Sequence, residues 1–158
     1  MKHTTHQNTR IINTPMSTMI ATTDGKAITS LDFTDNAPAI DNSNHPLLLR
    51  LKEELHEYFA GKRQTFTLPL NPQGTEFQKK TWETLLLIPY GETISYASEA
   101  KLFGNPKAVR AVANANGRNP ISILIPCHRV IATGGGLGGY SGGIWRKEFL
   151  LALEKKEK

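Results

Sequence analysis

A cluster of turn-forming residues at positions 71–74, Asn-Pro-Gln-Gly, divides this chain of 158 residues into two halves of different character. Residues 1–70 contain seven basic and seven acidic side chains, whereas residues 71–158 contain twelve basic and seven acidic ones. The net charge of +5 therefore lies in the second half. This excess of positive charge favours a polyanionic partner for the second half, although a charge of this size also contributes to solubility. We predict a flexible N-terminus at 1–10, an N-terminal α/β domain at 11–73 and a second domain at 74–158.

The sequence excludes several classes of protein. The apolar run at residues 85–88, like every other uninterrupted apolar run in the sequence, is far shorter than the roughly 20 residues that cross a bilayer. A single cysteine, Cys127, excludes an internal disulfide framework and a zinc site built from several cysteines. The polar first ten residues contain no apolar segment of a secretory signal. We therefore expect no membrane partner, a cytoplasmic location and a thiol that stays free.

The first half has the pattern of a small sheet with one helix. Residues 16–22 and 26–33 read as two strands around the turn-forming pair Asp24-Gly25. Apolar residues at helical spacing follow His45-Pro46 and predict a helix that ends near Gly61. A further strand over residues 65–70 would return to an edge of the sheet, because Pro69 cannot donate a backbone hydrogen bond.

The second half has the pattern of several short helices. Thr75 is placed to cap a helix that runs to Ile88, and a last amphipathic helix spans residues 145–156. Between them, Ser95 can cap a helix over residues 96–103 that Gly104 ends. Asn105 and Pro106 then start a basic, Ala-rich helix over residues 107–116. Two short helices joined by a glycine-containing turn predict a helix-turn-helix, and the whole chain an α+β fold.

The second of these paired helices has mostly small side chains and therefore a smooth surface, with Lys107 and Arg110 as its long side chains. Helices that read bases in the major groove present several long polar side chains. A smooth helix with one protruding arginine suits contact with phosphates and with the shape of a groove. The other interpretation, an Ala-rich helix packed inside the protein, stays open at this point.

Cys127 lies in the segment Pro-Cys-His-Arg that directly follows an apolar run at residues 121–125. A buried free cysteine is commonly an inert small hydrophobe. The cationic neighbours His128 and Arg129 argue for a reactive thiolate, and on this dipeptide alone both interpretations stay open. Adjacent residues seldom face each other, so a bridging water is expected between His128 and the sulfur. The glycine-rich segment 134–143 would allow a ligand to approach the backbone, but it lacks the Lys-Ser/Thr ending of a phosphate-binding loop.

Six blocks of the second half, in order and at matching spacing, resemble one known family. They are residues 90–96 (YGETISY), 104–112 (GNPKAVRAV), 119–120 (NP), 125–130 (IPCHRV), 139–143 (GYSGG) and 147–151 (KEFLL). The resemblance is to the methylated-DNA–protein-cysteine methyltransferases, also called O6-alkylguanine-DNA alkyltransferases. It covers residues 74–155. The first half is similar only in its strand–strand–helix order, for which the family implies a ribonuclease H-like supporting domain.

The resemblance implies roles for individual residues. Cys127 is similar to the acceptor of an alkyl group from the O6 of guanine, His128 to a base that acts through water, and Glu154 to the carboxylate that orients it. Asn119 is similar to the residue that holds the active-site turn. Four residues match positions that line the guanine pocket: Val130, Tyr140, Ser141 and Lys147. Five match DNA-binding positions: Asn105, Lys107, Arg110, Ala111 and Tyr96. Tyr96 is also expected beside the flipped nucleotide, where it takes part in catalysis.

The function that this resemblance implies is stoichiometric repair of duplex DNA, contacted through the minor groove by a monomer. Each molecule would accept one alkyl group from O6-alkylguanine or O4-alkylthymine, with no cofactor. Some members bind zinc through N-terminal Cys and His residues, but the lack of a second cysteine argues against a metal here. The family pattern varies at residues 116–118, which leaves the range of accepted alkyl groups open.

Two other classes of function remain at this point. One is a Cys-His hydrolase or a redox thiol protein, and the other is a lesion-sensing helix-turn-helix protein with an inert cysteine. The alkyltransferase interpretation also makes an electrostatic prediction. A relay from Glu154 through His128 and water should lower the pKa of Cys127 below the usual thiol value of about 8.5.

Overall fold

In the computed structural model, which describes residues 8–157, the chain divides into two units. One runs to Pro72 and includes residues 120–122, and the other comprises Gln73–Asn119 together with the residues from Ile123 onward. Among the described residues, no helix is both long and apolar enough to cross a membrane.

The first unit contains an antiparallel sheet in the order β1 (Thr9–Asn13), β2 (Thr18–Thr23) and β3 (Ile28–Thr34). The pairing of β2 with β3 shifts register after Thr22, beside the predicted turn. Strand β1 was not predicted, and it includes two residues assigned to the flexible N-terminus. It forms because its backbone pairs with β2 and because Arg10 Nη1 donates to Ser43 O at 3.0 Å. The rest of that prediction, residues 1–7, lies outside the described residues.

Residues 120–122 join this sheet from a distant part of the chain. The Leu31 N–H donates to Pro120 O, and the Ser122 N–H donates to Leu31 O, both at 2.9 Å. The sequence prediction had placed all of residues 74–158 in one domain. Nothing in the local pattern indicates that this short segment pairs with the middle of β3.

Helix α1 (Pro46–Phe59) covers one side of this unit, as the periodicity predicted. It begins where the His45 side chain accepts a hydrogen bond from the Leu47 N–H. Four of its apolar side chains are fully buried: Leu48, Leu51, Leu55 and Tyr58. Burying a side chain of this size stabilises a fold by about 1.5–3 kcal/mol, so this stripe attaches the helix to the sheet.

The strand predicted over residues 65–70 is absent apart from a single bridge between Leu70 and Ile28. The backbone N–H of Thr67 donates to the buried carboxylate of Glu54, 3.0 Å away, rather than to a neighbouring strand. Pro69 supplies no donor either. A side-chain carboxylate therefore replaces the strand ladder here.

The second unit begins with helix α2 (Glu76–Leu85), which Thr75 and Gln78 start with a reciprocal capping box. It ends three residues before the predicted Ile88, because the Leu86 N–H already bonds to carbonyls in a tightened last turn. The buried Trp82 packs this helix into the unit, and its Nε1 donates to Ala115 O at 3.0 Å. The indole thus fixes α2 against the helix that contains Ala115.

The helix-turn-helix consists of α3 (Tyr96–Phe103), a turn with a short 3-10 segment (Pro106–Ala108) and α4 (Val109–Asn116). Ser95 caps α3 by accepting from the Ser98 N–H. Gly104 then ends α3 with a φ of 108°, which few other residues adopt. The predicted α+β fold, a small sheet with a helix followed by a mostly helical part with a helix-turn-helix, is confirmed.

The remaining elements of the second unit surround a short buried segment. Strands β4 (Ile94–Ser95) and β5 (Val130–Ile131) pair in parallel. A 3-10 turn, Cys127–Arg129, immediately precedes β5. The chain ends in helix α5 (Ile144–Glu157). These elements bring residues distant in sequence to the single cysteine.

Candidate active site

Cys127 lies at the start of the 3-10 turn and is only 7% exposed. Asn119 holds this turn from the side. Its Nδ2 donates to Ile125 O at 2.7 Å and to Cys127 Sγ at 3.3 Å. In the same segment, Ile123 has a φ of 72°, which is unusual for a β-branched residue and costs about 1–2 kcal/mol. Tight backbone geometry and one amide therefore fix the position of the sulfur.

The next two residues share one buried carboxylate. His128 Nε2 lies 2.7 Å from Glu154 Oε2, and both side chains are at most 1% exposed. Arg129 forms a two-pronged contact with the same group, through Nε to Oε1 at 2.8 Å and Nη2 to Oε2 at 3.0 Å. A third arginine nitrogen donates to Ile88 O. Glu154 on α5 thus fixes both the histidine and the arginine.

The ionisation of this cluster determines which nitrogen of His128 can act as a base. Burial lowers the pKa of His128, so the ring is neutral at pH 7. Burial alone would raise the pKa of Glu154, but the hydrogen bond from His128 and the guanidinium of Arg129 outweigh it and lower that pKa. A neutral ring that donates from Nε2 has its lone pair on Nδ1. This Nδ1 is buried and has no hydrogen-bond partner among the described residues.

The pKa of Cys127 is raised to about 11, not lowered. Burial is the main cause, and the nearby carboxylate of Glu99 adds to it. The hydrogen bond from Asn119 and the charge of Lys147 oppose the shift without reversing it. The sequence prediction of a lowered pKa is therefore wrong for the free protein. Arg129, expected to stabilise the thiolate, directs its charge to Glu154 instead.

A cavity of about 260 Å³ opens beside Cys127. It is lined by residues of α3, α4 and the glycine-rich segment: Tyr96, Ala113, Asn116, Gly117, Cys127, Gly139, Tyr140 and Ser141. Three of the residues predicted at the pocket, Tyr96, Tyr140 and Ser141, are in its wall. Helix α4 contributes both to this wall and to the exposed face of the helix-turn-helix. The structure therefore joins the thiol, the cavity and the predicted DNA-binding motif in one unit.

Val130 and Lys147 were also predicted to line the pocket, but neither is part of its wall. Lys147 is fully buried, and its Nζ donates to Val130 O at 2.7 Å and to Gly139 O at 3.0 Å. One of these carbonyls belongs to Gly139, which lines the cavity, so Lys147 supports the wall without being part of it. Burial lowers the pKa of Lys147, and the negative charges that Cys127 and Glu99 can have oppose that shift. The lysine thus connects β5 with the glycine-rich segment behind the cavity.

Tyr96 is the first residue of α3 and lines the cavity together with residues of the glycine-rich segment. Burial raises the pKa of its phenol, and a hydrogen bond from the Gly139 backbone opposes that shift. Gly138 has a φ of +74°, and a Cβ at this position would lie 2.6 Å from Tyr96 Oη. A side chain at position 138 is therefore incompatible with this position of the phenol. Gly138 therefore allows close packing on Tyr96; access of a ligand to the backbone of this segment, which the sequence predicted, stays a prediction.

The residues predicted to bind DNA lie at the turn and on the open face of α4. Asn105, Lys107, Arg110 and Ala111 are all exposed. Asn105 caps the turn by accepting from the Lys107 N–H at 3.0 Å. Arg110 is flanked by small residues, so its side chain projects from a smooth surface. The internal-packing interpretation of α4 fits only its other face, where Val112, Ala115 and Asn116 are buried.

Sequence reasoning missed one polar pair in the site. Glu99 is fully buried on α3, and its Oε1 accepts from Asn116 Nδ2 at 2.7 Å. The available signal was a glutamate three positions after Tyr96, next to the apolar Ala100, on the face that α3 must bury. Among the side chains that the structure describes, those of residues 8–156, no group of His, Cys, Asp and Glu is arranged to hold a metal ion.

The fold and site together define a helix-turn-helix protein whose single buried thiol faces a cavity and adjoins a histidine–glutamate pair. A family model described as the DNA-binding domain of 6-O-methylguanine DNA methyltransferase matches residues 76–156. A second model, the ribonuclease-like domain of the same family, matches residues 9–72. The chain belongs to the methylated-DNA–protein-cysteine methyltransferase family.

Individual relatives agree with this assignment along nearly the whole chain. The constitutive methylated-DNA–protein-cysteine methyltransferase of Bacillus subtilis is 46% identical over 90% of this chain and 92% of its own length. A crystal structure of the Mycobacterium tuberculosis O6-methylguanine methyltransferase is 40% identical with a TM-score of 0.85, covering 96% of this chain and 94% of that one. A structure of the M. tuberculosis protein in complex with DNA has a TM-score of 0.86 at 41% identity and covers 94% and 93%.

Proposed function

We propose that this protein repairs alkylated DNA by transferring an alkyl group from the O6 of guanine to Cys127. The observation that supports this most directly is the position of Cys127. Its thiol lies in the wall of a cavity shared with the helix-turn-helix, next to His128 and Glu154. The B. subtilis relative is a methylated-DNA–protein-cysteine methyltransferase, and the M. tuberculosis protein has been crystallised with DNA; both agree with this chemistry.

The reaction begins with removal of the thiol proton. Because Nε2 of His128 donates to Glu154, Nδ1 is the nitrogen that accepts this proton, through a water molecule. The sulfur then attacks the alkyl carbon, a carbon–sulfur bond forms, and the bond between that carbon and O6 breaks. The bonding electrons remain on the guanine, which takes up one proton. Overall, the thiol proton replaces the alkyl group on the base.

Tyr96 assists the departure of the base, because negative charge develops on the guanine ring as the carbon–oxygen bond breaks. A phenol with a raised pKa is protonated at neutral pH and can donate a hydrogen bond to that ring. Asn119 keeps the sulfur in place during the attack. The thioether product has no hydrolytic exit, so each molecule reacts once.

DNA binds to the exposed face of the helix-turn-helix through the minor groove. A guanine inside the duplex must leave the base stack to reach the cavity, which costs a few kcal/mol. Arg110 fills the vacated position, and the small Ala111 lets the helix approach the groove closely. Asn105 and Lys107 contact the backbone at the turn. Alkylated thymine at O4 is a second substrate of the same site.

Tyr140 and Ser141 contact the extruded base from the cavity wall. Val130 and Lys147 shape the same wall from behind, through the bonds of Lys147 Nζ to two backbone carbonyls. The first unit serves as a supporting domain, and the second unit binds DNA and accepts the alkyl group. The protein acts as a monomer in the cytoplasm, where a reducing environment keeps its thiol free.

Mass spectrometry after exposure to a duplex with one O6-methylguanine tests the proposal. We expect a gain of one methyl group per protein on Cys127 and no gain in Cys127→Ala. The Ser122→Ala variant controls for a small change in the same buried segment that leaves the thiol intact. Repeated turnover would point to a hydrolase. Tight binding of the lesion without transfer would point to a lesion-sensing protein, and either result would refute the proposal.

A further inference from the structure

Glu99 and Asn116 form a buried polar pair that the proposed transfer chemistry does not use. Glu99 lies on α3, three residues after Tyr96, and is 0% exposed. Its Oε1 accepts from Asn116 Nδ2 at 2.7 Å. Asn116 ends α4, is 7% exposed and is one of the residues that line the cavity beside Cys127. A carboxylate thus lies behind one wall of the cavity and is bonded to the side chain that forms it.

The surroundings of Glu99 differ from those of the other buried carboxylate in this unit. Glu154 is matched by the guanidinium of Arg129. Glu99 has no salt-bridge partner among the described residues, and its Oε2 and the Oδ1 of Asn116 have no hydrogen-bond partner among them. Lys147 is the cation whose charge lowers the pKa of Glu99, but its Nζ donates to Val130 O and Gly139 O. Burying a carboxyl group with so few partners is costly.

We propose that Glu99 is a positioning residue for the alkyl-group pocket: it holds the Asn116 amide in the cavity wall and thereby limits the size of the alkyl group that reaches Cys127. This inference rests on the proposed function and extends it to substrate selectivity. A carboxylate accepts a hydrogen bond about twice as strongly as a neutral acceptor does. The ionised form of Glu99 therefore holds the amide more strongly than the neutral form does.

The selectivity should then depend on pH in the neutral range. Burial raises the pKa of Glu99 to about 7, against the opposing effects of the Asn116 hydrogen bond and the charge of Lys147. Two other titratable groups influence Glu99 or are influenced by it, the thiol of Cys127 and the phenol of Tyr96. Both are protonated at neutral pH because their pKa values are raised. The third coupled group is Lys147, whose pKa burial lowers and the charges of Cys127 and Glu99 raise.

The test compares two substrates in the same oligonucleotide, one with a methyl group and one with a benzyl group on O6. Single-turnover rate constants are measured for each, and their ratio is the readout. Because both substrates react with the same thiol, the ratio cancels any change in the population of the thiolate. A purely structural weakening of the protein lowers both rate constants together and leaves the ratio unchanged.

We expect Asn116→Ala to raise the benzyl-to-methyl ratio by about tenfold, because the wall loses its side chain. Glu99→Gln should raise it in the same direction by about threefold to fivefold, since glutamine keeps a neutral acceptor for the amide and loses only the charge-assisted part of the hydrogen bond. The double variant should resemble Asn116→Ala alone, because the two residues act as one unit. Glu83→Gln, which changes an exposed glutamate on α2, is the matched control and should leave the ratio unchanged.

The wild-type protein supplies a second measurement that needs no substitution. Its ratio should rise as the pH falls from 8 to 6 and approach that of Glu99→Gln, whose own ratio should be constant over this range. Two results overturn this inference if the protein still transfers methyl groups. One is a wild-type ratio that is constant with pH, and the other is a Glu99→Gln ratio equal to that of the wild type. Absence of transfer from either substrate overturns the proposed function itself, and this inference with it.

Discussion

His128 and Glu154 are 26 positions apart in the sequence, yet His128 Nε2 and Glu154 Oε2 lie 2.7 Å apart in the buried interior of the second unit. The contact sets the tautomer of the histidine, because a ring that donates from Nε2 can accept only at Nδ1. It also places a carboxylate behind the proposed base, where the negative charge stabilises the imidazolium that forms when the proton arrives.

Replacing Glu154 with glutamine should therefore slow transfer at neutral pH. General bases contribute about 10²–10⁴-fold to a rate, and a group that orients the base contributes somewhat less. Binding to alkylated DNA should be nearly unchanged, because Glu154 is buried away from the helix-turn-helix surface. The measurement is a rate–pH profile for both proteins on one oligonucleotide. Superimposable profiles would show that the histidine–glutamate contact is only structural.

The same substitution leaves Arg129 without its anionic partner, so stability must be measured beside the rate. Losing one member of a buried pair costs about 3–5 kcal/mol. The pKa of Glu154 is lowered in the folded protein, so its stabilising contribution is present above the unfolded value of 4.5 and is lost as the pH falls through the lower folded value. If Glu154→Gln is still folded above pH 5, its lower transfer rate reports on the relay and not on unfolding.

Arg110→Ala should affect duplex DNA more than the free base. If the guanidinium occupies the position left by the flipped guanine, its removal slows repair in a duplex but leaves reaction with free O6-methylguanine unchanged. Arg118→Ala is the control, because it removes the same charge from another exposed position of this unit. Equal losses on both substrates would mean that Arg110 has no role in base flipping.

Gly138→Ala should disrupt the site through Tyr96. The new Cβ would lie 2.6 Å from Tyr96 Oη, and the position has a φ of +74°. Gly134→Ala isolates the backbone contribution, because Gly134 has a φ of +91° and nothing within 4 Å of its added Cβ. Both variants should lose about 1–2 kcal/mol of stability from the left-handed backbone. Only Gly138→Ala should lower the single-turnover rate strongly, and equal rates would exclude the contact with Tyr96 as the cause.

Glu99→Gln should change how stability varies with pH. The pKa of Glu99 rises from 4.5 in a free side chain to about 7 in the folded protein, so the folded state binds more protons between these values. The contribution of Glu99 to stability is then fully present below pH 4.5 and is lost as the pH rises through 7.

Denaturant unfolding at several pH values measures this change. Relative to Glu99→Gln, the wild-type protein should lose about 1–3 kcal/mol between pH 4.5 and pH 8. Glu83→Gln is again the control for the exchange of a glutamate. A constant difference between wild type and Glu99→Gln across this range would mean that Glu99 does not titrate there.

Local signals predicted the helices of the second unit well. Ser95, Gly104 and Asn105 act through their own backbone neighbours, so the sequence shows the limits of α3 and the turn directly. Strand β1 was missed because its pairing depends on β2 rather than on its own composition, with Ile12 as its one buried residue. The segment at 120–122 was misplaced for the same reason, since its partner Leu31 is about ninety residues earlier.

The sequence predicted some features of the candidate active site and not others. The dipeptide Cys127-His128 is visible in the sequence, and resemblance to a family supplied Glu154 and Asn119. The sign of the thiol pKa could not be predicted, because it depends on burial of Cys127 and on Arg129 turning to Glu154. The pairing of Glu99 with Asn116 depends on how α3 packs against α4, which no spacing along the chain reveals.

The burial of Cys127 also governs which small molecules can consume it. With a pKa of about 11, roughly one thiol in ten thousand is ionised at pH 7. Peroxides and diffusible alkylating agents react with the thiolate, so they find almost none in the resting protein. A protein that can accept only one group would lose its whole capacity to a single stray electrophile. The small thiolate population therefore keeps each molecule available for the lesion.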